Sequence, residues 1–182
     1  MAAATFKVGD TVVEPSIGVC QIQGIRQMIV DGSNEDFFIF QATNARVMVP
    51  RSQLEKRGIR RPMSKDDVKK VTLMLRMPVT PSRGDARAQY LEYQDTLRSG
   101  DPARISKLLR KLFILDQSDD LKGKEKELME QARKFLVEEI TYIEGASKTK
   151  ITNDINESLR MMYKKKVKKE KELPREKAAR KV

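Results

Sequence analysis

The stretch FKVGDTVVEPSIGVCQIQGI, residues 6–25, sets β-branched residues at Val8, Val12, Val19, Ile22 and Ile25 between turn formers at Gly9-Asp10 and Gly18. Short runs of this kind broken by turns read as β-strands. The pattern continues through Ile29 to Pro50, with further turns at Asp31-Gly32-Ser33-Asn34 and Thr43-Asn44. Asp31-Gly32 is a hairpin signal, because the tightest hairpin turns need positive φ at their central residues. Some five strands in about 55 residues must curl to bury one apolar face, so a small Tudor-like or SH3-like barrel is expected.

Beyond Ile59-Arg60-Arg61-Pro62 the period changes to that of helices. Ser64 reads as an N-cap with Asp66 and Asp67 in the first turn, opening a helix with Val68, Val71, Thr72 and Leu75 on one face. Pro78, Pro81 and Gly84 end it, and a second helix, about Asp85 to Arg98, carries Ala86, Tyr90, Tyr93 and Leu97 on one stripe. Ser99-Gly100 stops that helix and Asp101-Pro102 starts a third, with Ile105, Leu108, Leu109, Leu112 and Phe113 facing a core and Arg104, Lys107, Arg110 and Lys111 facing away. A fourth, about Lys124 to Glu144, turns Met129, Ala132, Leu136, Ile140 and Ile143 inward; a fifth, from about Lys150, uses Ile151, Ile155, Leu159 and Met162 and runs on into a lysine-rich tail. The fold class is therefore α+β, a small β-barrel followed by a compact bundle of four to five helices. The expected units are residues 1–62, 63–163 and a basic tail, 164–182.

The net charge is +11. Residues 164–182 hold eight Lys, two Arg and three Glu, which is +7 and leaves +4 for the body. Such a balance points to a polyanionic partner, with a solvated tail accounting for much of the excess. The absence of histidine excludes Ser-His-Asp and Cys-His catalysis and histidine metal sites. Cys20 is the sole cysteine, sits among alternating apolar residues and reads as a small core hydrophobe. The pairs Glu138-Glu139 and Asp119-Asp120 read as solvated charge, and no phosphate-binding glycine loop is present. Neither enzyme activity nor a cofactor is expected. MAAATF lacks a signal-peptide run, and no stretch of about 18 apolar residues exists, so a cytoplasmic protein that does not act on membranes is expected.

Together with FKVGDTVVEP, the segment VMVPRSQLEKRGIRRP at 47–62, SGDPARISKLLRKL at 99–112 and LKGKEKELMEQARKFLVEEI at 121–140 resemble, in order and spacing, the CarD family of bacterial RNA-polymerase-binding transcription regulators. The resemblance runs from about Phe6 to Ile143. It implies that residues 1 to about 62 form the polymerase-interacting domain shared with transcription-repair coupling factors, which binds a lobe of the polymerase β subunit partly through an exposed strand edge. Matched onto this chain, that contact falls on Val47, Met48, Val49, Pro50 and Arg51, with Met28 beside it. Alternation along the strand should turn Met48 outward and Val47 and Val49 inward.

The chain departs from the family at several positions. Met48 and Met28 stand where many members carry arginine, which shifts any charged contact toward Arg26, Arg46 or Arg51. The family's minor-groove tryptophan falls on Ala86, and this chain has no tryptophan. An alanine cannot cover an unstacked base. DNA contact then rests on charge, at Arg83, Arg87, Lys122, Lys124, Lys126 and the tail, through backbone and minor-groove contacts without sequence readout. The expectation is a monomeric, non-enzymatic regulator that ties the polymerase β subunit to promoter DNA. The alternative is a polymerase- or protein-binding scaffold that has lost the wedge and does not act on DNA.

Overall fold

A computed structural model describes residues 6–43, 45–80 and 84–179, with side chains described as far as Glu170. Four antiparallel strands, β1 (Thr11–Glu14), β2 (Gly18–Val30), β3 (Ser33–Gln41) and β4 (Arg46–Pro50), form one sheet in the order β1-β2-β3-β4. The count is four where five were expected, because β2 is a single 13-residue strand. A register shift between Ile22 and Gly24 lets it bend without breaking. Asp31 (φ 49°) and Gly32 (φ 80°) make the expected tight hairpin turn.

After β4 a single 3-10 turn at Arg51–Gln53 carries the chain back to β1, where Val13 and Arg60 exchange backbone hydrogen bonds of 2.8 and 3.2 Å. This single bridge closes the β1 edge at Val13, and the sheet curls around Phe6, Val12, Cys20, Ile22, Phe38, Phe40, Val49, Leu54 and Ile59. Cys20 is a core residue as read. Burial, with the nearby Glu14 carboxylate adding to it, pushes its thiol up to about 12.

Five helices follow: α1 (Lys65–Leu75), α2 (Ala86–Arg98), α3 (Pro102–Gln117), α4 (Gly123–Glu144) and α5 (Lys148–Ala179). Ser64 caps α1 in a reciprocal box with Asp67. The Ser64 hydroxyl and then the Lys70 ammonium hold the Asp67 carboxyl below its ordinary range. Asp85 and Asp101 cap α2 and α3 by accepting from Ala88 and Ala103 N–H groups, each at 2.8 Å. The bundle core takes the predicted stripes of α3, α4 and α5, together with Tyr93 and, from the β half, Val13.

Two charged residues expected in solvent are buried. Arg110 turns into the bundle and donates to the Met77 carbonyl at 2.6 Å, just beyond the C-terminus of α1, where partial negative charge favours a cation. Burial lowers its pKa. Glu139 is 1% exposed and sits where the two halves meet.

Candidate functional site

Pairing register sorts the β residues onto two faces. Val49 pairs with Phe38 and Val47 with Phe40, and these face the core; Met48 pairs with Ile39, Pro50 with Phe37, Phe37 with Arg26, and Glu35 with Met28. Met48 and Met28 therefore share the outer face, 39% and 41% exposed. Ile39, which pairs with Gly24 and lies 3.9 Å from where a Cβ on that glycine would stand, is 8% exposed. The outer face thus presents Met28 and Met48 with half-buried Phe37 and Pro50 as an apolar patch, Arg26 and Glu35 among them and Ile39 buried beneath. Phe37 and Ile39 escaped the sequence reading, although alternation from Met48 across the hairpin would have found them.

With the β1 edge closed at Val13 by the return of the chain, β4 is the open edge of the sheet among the described residues. An open edge presents unpaired N–H and C=O groups, and Pro50, which has no N–H, blunts one end of it. Arg51 is exposed and reaches Asp36 at 3.6 Å, a pair that solvent weakens. Val49 is fully buried, backbone included, so any contact at this edge falls on its neighbours Arg46, Met48 and Arg51, which are exposed.

The described DNA-binding candidates of the helices lie away from the junction with the β half. The C-terminus of α2 abuts the β half, where Arg60 Nε donates to the Gly100 carbonyl at 2.7 Å. Thirteen helical residues then place the start of α2 about 20 Å from that junction. Glu139, in the later part of α4, lies at the same junction and accepts from Met63 N–H at 2.8 Å, so the start of α4 lies similarly far off. Tyr163 of α5, just before its lysine-rich part, meets Phe113 of α3 edge-on at 6.5 Å.

Ala86 and Arg87 at the start of α2, and Lys122, Lys124 and Lys126 at the start of α4, are all exposed. Arg83 lies outside the described residues. Ala86 is the first residue of α2 and is clear of the core; Tyr93 is buried and Tyr90 half-buried, so the stripe that was read through all three turns outward at its first member. Three lysines around the first turn of α4 oppose the helix dipole. Glu125 offsets them in part, its carboxylate accepting from Lys122 N–H at 3.0 Å.

Residues 6–63 match the CarD-like/TRCF RID domain, and residues 70–156 match the CarD, C-terminal domain. The chain belongs to the CarD family. It carries that family's RNA-polymerase-interacting domain, the domain of transcription regulators, in its β half. The Bacillus subtilis (strain 168) protein YdeB, whose name describes it as a candidate transcription factor, is 21% identical over 148 residues, covering 80% of this chain and 97% of that protein. In this CarD-family chain no helix among the described residues is long and apolar enough to cross a membrane.

Proposed function

We propose that this CarD-family protein docks on the β subunit of bacterial RNA polymerase through the open β4 edge and the outer sheet face, and steadies promoter complexes by phosphate contacts from basic residues of its bundle. The observation that carries the reading is that β4 (Arg46–Pro50) ends the sheet, with Arg46 and Met48 exposed along it and the apolar face of Met48, Phe37 and Met28 beside it. A partner strand added there gains main-chain hydrogen bonds, and the face beside it offers side-chain selectivity. The lysines of α4 and α5 and Arg87 act on backbone charge, which carries no sequence information.

No covalent chemistry is needed. A factor that binds the open promoter complex more tightly than the closed one raises the open fraction by that difference in affinity. With Ala86 in place of an aromatic wedge, the difference is smaller than in a tryptophan-bearing relative. That same alanine favours the second reading, a polymerase-bound scaffold without action on DNA. Promoter-complex lifetime measured with and without the full chain separates the two: a longer lifetime that shortens with added salt supports DNA contact, and an unchanged lifetime with polymerase bound supports the scaffold.

A further inference from the structure

Arg60 and Glu139, 79 residues apart in sequence, form the most elaborate polar contact between the halves. The Arg60 guanidinium donates to both carboxylate oxygens of Glu139 at 2.7 and 2.6 Å and to the Gly100 carbonyl at 2.7 Å, and lies 5.8 Å from the centre of the Phe135 ring. Glu139 is 1% exposed and also accepts from Met63 N–H, so its charge is compensated wholly across the junction. Around this pair the backbones approach too closely for a side chain. A Cβ on Gly58 would lie 2.7 Å from the carbonyl oxygens of Arg98 and Ser99, and one on Gly100 would lie 2.8 Å from Pro15. Both glycines have φ above 60°, and each sits against the opposite half.

A surface ion pair between two linked modules would let them swivel. A fork-to-fork pair whose carboxylate is fully buried among backbone groups has one geometry, because rotation would leave the desolvated Glu139 charge without its partner. We infer that Arg60 and Glu139 are positioning residues that lock the β half and the helical bundle into one rigid body, holding the start of α2 at a fixed distance and angle from the β4 edge. The functional consequence rests on the reading above: with the edge bound to polymerase, the distal lysines meet DNA at one register. The second contact then forms at high effective concentration.

The test uses the full chain with spin labels at Ser33→Cys on the hairpin and Lys107→Cys on α3, both exposed positions, while Cys20 is buried. Two junction variants are compared, Arg60→Lys, which keeps the charge and loses the fork, and Gly58→Ala, which leaves the pair and pushes the backbones apart. Each is studied well below its melting temperature, with helix content checked by circular dichroism. The expected result is a single narrow inter-label distance in the parent and a broad distribution in both variants. Polymerase affinity and intrinsic DNA affinity should stay unchanged, while promoter-complex lifetime falls by about tenfold. A broad distribution in the parent, or a narrow one in both folded variants, overturns the lock. Broadening with an undiminished lifetime overturns its positioning role. If the distances behave as expected but the parent itself never lengthens promoter complexes, the lock stands and the proposed function fails.

Discussion

Replacing Ala86 by tryptophan should lengthen the life of the open promoter complex without disturbing the fold. Ala86 is exposed at the first position of α2, and the Asp85 cap acts on the backbone of Ala88, so neither packing nor capping opposes a large ring there. The cost of tryptophan against alanine is bounded by helix propensity, about 0.7 kcal/mol in a helix interior and less at the first turn. For a chain of 182 residues that amounts to a fall in melting temperature of no more than about 2–3 °C. Overpacking, by contrast, would cost about 1–3 kcal/mol and several degrees. A base stacked on an aromatic side chain is worth about 1–3 kcal/mol, and the lower figure corresponds to about a fivefold longer lifetime. Competitor-challenged promoter-complex decay and thermal melting, run on the same variant, check both. An unchanged lifetime at retained stability would refute the placement of α2 against the minor groove, and a drop in melting beyond about 5 °C would refute the exposure of position 86.

Arg60→Ala strands the Glu139 carboxylate in the junction with Met63 N–H as its remaining donor. Because Arg60 itself is 24% exposed, the expected loss lies at the lower end of the range for broken buried pairs, about 3 kcal/mol by urea denaturation. Truncation after Tyr163 removes +7 and should flatten the dependence of log DNA affinity on log salt, by about 0.9 for each phosphate contact the segment makes. Cys20, with its thiol pushed up to about 12 by burial, should resist alkylation at pH 8 until the protein is denatured. The unfolded thiol ionises from roughly pH 9 while the folded one keeps its proton, so this group's contribution to stability is complete below that pH and is lost as pH rises from there toward 12; a Cys20→Ser variant should lose less stability across that window in alkaline melts.

Local chemistry was legible in the sequence and long-range pairing was not. Ser64 with Asp67, Asp101 with Pro102 and Asp31-Gly32 each act within four residues, and all three do in the structure what their residue types require. The outward turn of Met48 followed from alternation alone. Glu139 read as solvated because its neighbour Glu138 is acidic and nothing nearby announces Arg60, whose approach depends on the return of the chain after β4. Arg110 read as surface because its helical neighbours Arg104 and Lys107 are exposed, yet it finds the end of α1, which no local pattern encodes. Ala86 shares the period of Tyr90 and Tyr93, but periodicity has no information about where the core stops.

The most direct test is the affinity of the full chain for purified RNA polymerase, and for its isolated β subunit, measured for the parent, Met48→Glu and Ile29→Glu. Met48 lies on the outer face at the open edge, whereas Ile29, 75% exposed, lies on the opposite face of the hairpin, so both substitutions add one exposed negative charge and only one meets the proposed contact. The account predicts about a tenfold weaker complex for Met48→Glu, roughly 1.4 kcal/mol, and an unchanged one for Ile29→Glu, with equal melting temperatures. Equal polymerase affinity for all three folded proteins would contradict it.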